Sequence, residues 1–411
     1  MKPIEQEATT FTGYQKFVIA VLAMTLFTVV LDFMVMSPLG DIMMKTLHIT
    51  ASQFGVAVSA YAFSAGLSGL LTAGFADKFD RKKLLLFFYI GFTIGTMFCA
   101  LAGSYPLLVA ARIFTGVFGG VIGSISMAIV ADHFVLQQRG KVMGFVQMGF
   151  GVSQVLGIPI GLYFANAYGW QVPFWGIAVL AGLLSLLLFV KLKPIAGHLH
   201  LQQSRSPVRH LFHTVSQKNY RIGFLATALL SIGGFMMMPF GSAFAINNLK
   251  LTPEQLPFLF MASGVATLVS MPIIGKLSDR IDKFKLFTAA TLSAVVVINV
   301  YAHLSNTPFG LVLLTNILMM MTIMSRMVPS TALTSAIPAP EDRGAFMSIN
   351  SSLQQMAGGF GAMLAGVIIV QKDNFSPLEH FDTLAMIATG IMVVTIALVY
   401  RVDVIIKNRA R

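Results

Sequence analysis

The sequence predicts an all-α integral membrane protein, with twelve transmembrane helices in two pseudo-symmetric six-helix bundles. Three observations lead there. Of 411 residues, 56% are hydrophobic and only 11% are charged, with 34 Phe, 25 Met and 36 Gly and a mean hydropathy of +0.79. Apolar windows of roughly 20 residues, the length that crosses a ~30 Å hydrocarbon core as helix, recur along the whole chain. A charged loop motif also appears twice at a fixed offset, as a duplicated half requires.

The first window, 16–38, is too long for a signal-peptide core and lacks a small-residue cleavage pattern, so it reads as a retained helix. It contains TLFTVVLDFMVMSPLG, with Asp32 inside an otherwise apolar run. Window 52–74 ends at the first charged loop. Window 84–103 holds the single cysteine, Cys99, which excludes an intrachain disulfide and a cysteine metal cluster. Window 106–131 carries ARIFTGVFGG, where Arg112 precedes glycines spaced for close helix approach. Windows 140–165 and 170–190 complete a first bundle, residues 1–192.

Residues 193–220 are polar and hold four of the eight histidines, His198, His200, His210 and His213. An amphipathic cytoplasmic linker at the headgroups explains them better than a metal site does. The second bundle, 221–411, contains windows 221–246, 255–275, 286–304, 308–335, 344–370 and 381–401, with Arg326 inside TIMSRMVPST.

Charge sorts with this topology. The net charge of +12 raises nucleic acid as a partner, and the positions of the 28 Lys and Arg remove it. With the N-terminus inside, 23 fall in cytoplasmic segments; Lys45, Lys250 and Lys372 fall in outer loops, and Arg112 and Arg326 within the membrane. That distribution satisfies the positive-inside rule with both termini cytoplasmic, and the basic excess faces anionic headgroups. Fifteen of the 16 acids lie in loops, tails or span edges such as Asp132, and Asp32 alone lies deep.

The repeat is legible residue by residue. AGFADKFDRKKL from Ala73 returns as GKLSDRIDKFKL from Gly275, pairing Asp77 with Asp279, Lys78 with Arg280, Asp80 with Asp282 and Arg81 with Lys283. QQRGKVMG around Arg139 is echoed by PEDRGAFMS around Arg343. With these loops and twelve spans, the chain resembles the major facilitator superfamily along its whole length. It departs from the loop signature at Ala73 and Asp80, where that family usually has glycine. LDFMVMSPLGD, ARIFTGVFGG and LGIPIGLYFANAYGW are similar to the twelve-span drug:proton antiporters, and especially to bacterial sugar- and purine-efflux-like members. Ile158 separates Gly157 from Pro159, which the antiporter signature keeps adjacent.

A carboxylate near the hydrocarbon centre costs ~2.5–3.5 kcal/mol on insertion scales, so it is expected to face a bundle interior and find a partner. Asp32 and Arg112 each lie about six residues from the outer end of their windows, roughly 9 Å deep at 1.5 Å per residue. The resemblance implies that their spans pack around a central cavity, and so an Asp32/Arg112 pair. Such a carboxylate couples protonation to access if its contact with Arg112 changes between conformations; the plainer reading is a structural ion pair. Arg326 has no deep acid in its half, which points either to a cavity facing an anionic or hydroxyl-rich solute, or to snorkelling or carbonyls freed by Pro329. Gln147, Asn316, Asn350, Gln354 and Gln355 are further solute-binding candidates, with interhelical ties as the bland alternative. Phe33 and Met36 could line an apolar pocket, though packing is the default. The resemblance also implies that Asp77, Arg81, Arg139, Asp279, Arg280 and Arg343 form a cytoplasmic gate that latches in the outward-open state, with Asp77 and Arg81 the stronger latch and Arg139 its partner.

No Walker A motif, H-E-x-x-H or nucleophile elbow is present in the sequence, so neither ATP-driven transport nor catalysis is expected, and no cofactor or metal. The expectation is a monomeric multi-pass inner-membrane protein that exports a small organic solute, sugar-like, nucleobase-like or an amphipathic drug, by alternating access in exchange for protons through Asp32. A facilitator or symporter of the same fold, or a transport-inactive receptor, are the alternatives.

Overall fold

The computed structural model describes residues 11–73, 75–196, 207–339 and 342–410. The first half comprises α1 (Gly13–Val35), α2 (Gly40–Leu47), α3 (Ala51–Ala73), α4 (Arg81–Leu101), α5 (Tyr105–His133), α6 (Leu136–Val152), α7 (Ile158–Tyr168) and α8 (Gln171–Lys191). A linker helix, α9 (Pro207–Ser216), leads to α10 (Lys218–Phe235), α11 (Gly241–Asn247), α12 (Gln255–Arg280), α13 (Lys283–Ala302), α14 (Phe309–Thr334), α15 (Arg343–Ile368) and α16 (Phe381–Ala410).

Local sequence explains the breaks. Pro38 interrupts the path from α1 to α2, and Pro239 interrupts the related path from α10 to α11, because proline supplies no N–H to a helical ladder. The π-helical turn Ser153–Gly157 joins α6 to α7 just ahead of Pro159 and makes them one span. The two repeated loops each supply a helix cap. Asp80 accepts from the Lys83 N–H at 3.0 Å, and Asp282 from the Lys285 N–H at 3.1 Å, satisfying orphan donors at the starts of α4 and α13. Asp80 also accepts from the Ile195 N–H at 2.8 Å, so the residue that departs from the family signature ties the linker's first segment to the bundle.

Among the described residues, eleven helical segments are long and apolar enough to cross a membrane. The twelfth, α15, is richer in Ser, Asn, Gln and Gly, and it lies antiparallel along α3. Gly55 meets Gly366, Ala62 meets Gly359, and Gly69 meets Ser352, so one number rises as the other falls. A Cβ on Gly55 would stand 2.9 Å from the Ala362 carbonyl oxygen and 3.2 Å from the Gly366 Cα. Only glycine permits this seam between the halves.

Both α1 and α16 have their chain ends on one face, here the terminal face; the other is the distal face. The halves are joined across the distal face. Asn247 Nδ2 donates to Asp41 Oδ1 at 2.7 Å, Asn374 Nδ2 to the Met44 carbonyl at 2.7 Å, and Ser242 Oγ to the Ser37 carbonyl at 3.0 Å. Ser37 Oγ donates to the Met238 carbonyl. At the terminal face, Arg81 pairs with Asp132 at 2.9 Å within the first half, and Lys407 with Asp282 at 2.9 Å within the second. Between the halves on that side lies a cavity of about 500 Å³. The molecule is therefore closed distally and open terminally.

Candidate functional site

Asp32 and Arg112 meet. Arg112 Nη1 donates to Asp32 Oδ2 at 2.8 Å, and both side chains are 0% exposed. The helical path continues from Asp32 through α2 to Leu47, so the carboxylate lies further from the distal end than its apolar window indicates. Thr96 Oγ1 on α4 donates to Asp32 Oδ1 at 3.0 Å, and the Tyr61 ring on α3 stands 4.5 Å from the Arg112 guanidinium carbon. Glycine at 116 makes the approach possible, since a Cβ there would sit 2.5 Å from the Tyr61 carbonyl oxygen.

Each Asp32 oxygen thus has a donor, while Arg112 Nε and Nη2 have no partner. A buried pair of this kind gains little over an apolar packing but costs several kcal/mol to break, because the survivor is left charged in a dry site. Whatever separates Asp32 from Arg112 must neutralise the carboxylate or admit water, which is a chemical requirement that proton uptake meets. Tyr61 and Thr96 escape sequence reasoning, because one Tyr and one Thr in apolar helices carry no spacing signal.

The cavity on the terminal side is lined by small and hydroxyl residues of α3, α5 and α15, among them Thr72, Ser124, Ser348, Ser351 and Ser352, with Gln355 and Arg81. Of the solute-binding candidates, Gln355 is on this wall. Gln354 is half-buried beside it, and Gln147 is exposed on α6. Phe33 belongs to a narrow apolar crevice nearer the distal closure, 5.3 Å from the Tyr61 ring and 6.2 Å from the Phe235 ring; Met36 is fully buried. Asn316 is buried and accepts from Ser263 Oγ at 2.7 Å, and Asn350 is buried with Oδ1 unpartnered.

Arg326 is 1% exposed. Its Nε donates to Thr291 Oγ1 on α13 at 3.1 Å, the Phe287 ring lies 5.6 Å from its guanidinium carbon, and Nη2 has no partner. It neither snorkels to a headgroup nor bonds the carbonyls near Pro329.

The charged loops at the terminal face make these contacts. Arg81 bonds Asp132 at the end of α5 and the Ala76 carbonyl at 3.2 Å, whereas Arg139 donates to the Phe134 carbonyl of its own loop at 3.0 Å. The Asp77 backbone belongs to the short 3₁₀ turn Ala76–Lys78; its side chain lies outside the described residues. Asp279, Arg280 and Arg343 are exposed at the terminal face.

A further contact between the halves lies distally. Asp41, an outer-loop acid by hydropathy, is helical and 4% exposed, held by Lys45 Nζ at 2.8 Å and by Asn247 from the other half; Lys45 Nζ also reaches Asn247 Oδ1 at 3.3 Å. GDIMMKTL breaks from the apolar run, which hid both the helix and its contact.

The sequence profile of the Major Facilitator Superfamily matches residues 22–362, and again 223–407. The chain is 23% identical over 374 residues to the uncharacterized MFS-type transporter YceJ of Bacillus subtilis (strain 168), covering 90% of this chain and 94% of that protein. It is 22% identical over 361 residues to Multidrug resistance protein 2 of the same organism, covering 86% and 89%. Its fold is similar to that of the nucleoside transporter NupG, with a TM-score of 0.76 at 15% identity, covering 94% of this chain and 99% of that one. The chain is a multi-span membrane transporter, not an enzyme, and it belongs to the major facilitator superfamily.

Proposed function

We propose that this transporter exports a small organic solute from the cytoplasm across a bacterial inner membrane by alternating access, in exchange for protons that bind Asp32. In this reading the terminal face is cytoplasmic, which the distribution of Lys and Arg supports under the positive-inside rule. The cavity bounded by α3, α5 and α15 then takes solute from inside, and the Asp41–Asn247 contact closes the path outward.

The observation that carries the coupling role is the geometry at Asp32, a fully buried carboxylate whose oxygens are held by Arg112 and Thr96. Protonation removes the charge that holds Arg112 in place, freeing α1 and α5 to shift; release of the proton on the other side restores the pair. The similarity to Multidrug resistance protein 2 supports export of a small molecule, and its sugar- or nucleobase-like or amphipathic drug character follows from the cavity only as far as hydroxyl-lined walls favour polar groups.

The test is solute flux in proteoliposomes with an imposed pH gradient. Wild type is expected to respond to the gradient and Asp32→Asn to lose that response while retaining solute exchange at equal pH. A gradient response that survives in Asp32→Asn removes Asp32 from coupling. The complete sealing of the pair favours a second reading, a proton-independent facilitator or a symporter with a structural Asp32, which predicts no solute efflux driven by protons entering.

A further inference from the structure

We infer that Arg326 is an anion receptor inside the second half, so that the transported solute carries a carboxylate or phosphate group. The inference deepens the export reading and rests on it for the word solute, but its physical basis is independent of Asp32.

The two buried guanidinium groups differ in their surroundings. Arg112 has the Asp32 carboxylate at 2.8 Å. Arg326 has one neutral hydroxyl, Thr291 Oγ1 at 3.1 Å, and one aromatic ring, Phe287. Both arginines are large side chains buried almost to zero exposure. A guanidinium stays protonated, cannot shed its charge as a lysine does, and presents a planar fork that matches a carboxylate or a phosphate. With the charge buried and no acid beside it, the complement has to come from outside the chain.

A second group points the same way. Asn350 on α15 is buried, and its Oδ1 has no donor, just as Arg326 Nη2 has no acceptor. At 1.5 Å per residue, Arg326 lies about 12 Å from the terminal end of α14, and Asn350 about 10 Å from the terminal start of α15. An unpaired donor and an unpaired acceptor therefore occupy one level of the same half. The open cavity on the terminal side, lined on α15 by Ser348 and Ser351, is the side from which a solute would enter.

The experiment measures thermal stability of the purified full chain in nanodiscs against matched probes: benzoate, its neutral analogue benzamide, and inorganic phosphate. Benzoate or phosphate is expected to stabilise wild type where benzamide does not. Arg326→Gln should weaken the anion response at least tenfold while leaving the unliganded protein no less stable. Thr291→Asp supplies a carboxylate beside Nε, and should abolish the response while raising the unliganded melting temperature. If Arg326→Gln fails to fold, Arg326→Lys and Thr291→Asp carry the same comparison.

An anion response unchanged in these variants, or no preference for either anion over benzamide, overturns the proposal. Nanodiscs of phosphatidylcholine and of phosphatidylglycerol separate the two sources of the anionic group: stabilisation by the anionic lipid alone, lost in Arg326→Gln, assigns the receptor to a headgroup and overturns the solute claim. Asp32→Asn is measured alongside. If it abolishes gradient-driven flux yet keeps the benzoate response, the two sites are separate; if it leaves flux unchanged, the coupling reading fails while the anion result stands.

Discussion

Replacing Asn247 by alanine should open the distal face. The Asn247 Nδ2 donor lies 2.7 Å from Asp41 Oδ1, and that aspartate is 4% exposed, so the bond is a buried one to a charged acceptor. Bonds of this type contribute about 1.5–3 kcal/mol. Asn247 sits in the second half and Asp41 in the first, so the bond exists only while the distal face is closed, and its loss counts fully against that state. Lys45 remains to partner Asp41 within α2, which keeps the carboxylate from being stranded and places the effect near the lower end of the range. At 1.4 kcal/mol per factor of ten, the closed-to-open ratio falls roughly 10-fold, and up to about 150-fold at the upper end. The readout is the distance between spin labels at His48→Cys and Lys250→Cys, exposed positions beyond the ends of α2 and α11, in a Cys99→Ala background in nanodiscs. A longer-distance population should appear or grow in Asn247→Ala. If the distribution shifts by less than threefold in ratio, the Asp41–Asn247 contact does not hold the gate, and the reasoning from burial and bond length is wrong.

Three further outcomes follow from the same geometry. Arg112→Ala strands the Asp32 carboxylate in a dry site and should cost about 3–5 kcal/mol in denaturant stability, while Asp32→Asn combined with Arg112→Gln should recover much of it; equal loss in both would deny the pair's mutual dependence. Gly55→Val drives a branched side chain into the Ala362 carbonyl and the Gly366 backbone, and should destabilise by about 1–3 kcal/mol, read as a lower melting temperature with no change in Gly234→Ala, whose added Cβ meets nothing within 4 Å. Asp282, between α12 and α13, is held below its ordinary carboxylate pKa, first by the Lys407 ammonium and then by the Lys285 N–H. A depressed folded value means its stabilisation is present above the unfolded pKa and lost as pH falls through the folded one. Asp282→Ala should therefore cost about 1 kcal/mol at neutral pH and progressively less in acid, measured as chemical denaturation across pH.

How far the sequence carries depends on the kind of signal. Hydropathy windows locate the spans because the bilayer demands long apolar runs, and the duplicated Asp-containing loops mark the halves because their charges cannot enter hydrocarbon. The Asp32–Arg112 contact was accessible because a deep carboxylate needs a partner, the two residues lie at matching depth, and the family resemblance brings their spans together. The walls of the terminal cavity were not: Ser348, Ser351 and Ser352 share a helix face with nothing in their identities to separate a wet wall from an interhelical tie. The distal contact between the halves was hidden for another reason. Asp41 and Lys45 are polar enough to read as loop, and their burial arises from α11 in the other half, far along the chain. Arg139 shows the converse, since the family pattern names the residue but local geometry gives it the Phe134 carbonyl.

The duplication itself argues that the halves have divided their work. Arg112 and Asn316 stand at the same offset as Arg139 and Arg343, and Tyr61 and Ser263 at the offset of Asp77 and Asp279. In the first half these positions hold a guanidinium against a tyrosine ring, 4.5 Å away. In the second they hold an amide accepting from a serine at 2.7 Å, a neutral pair that has no charge to titrate. Gly234 stands where symmetry would put the partner of Asp32, so the carboxylate has no counterpart either. The second half carries its own guanidinium elsewhere, at Arg326, where the first half has Ile122. One half thus pairs its buried cation internally and the other leaves its cation to be complemented. A single evolutionary copy event cannot produce that asymmetry; it requires later substitution at Asp32, Arg112 and Arg326 or at their mates. Exchanging the chemistry should therefore not exchange the roles: Asn316→Arg adds a second cation without a carboxylate, and it should destabilise the second half unless Gly234→Asp accompanies it.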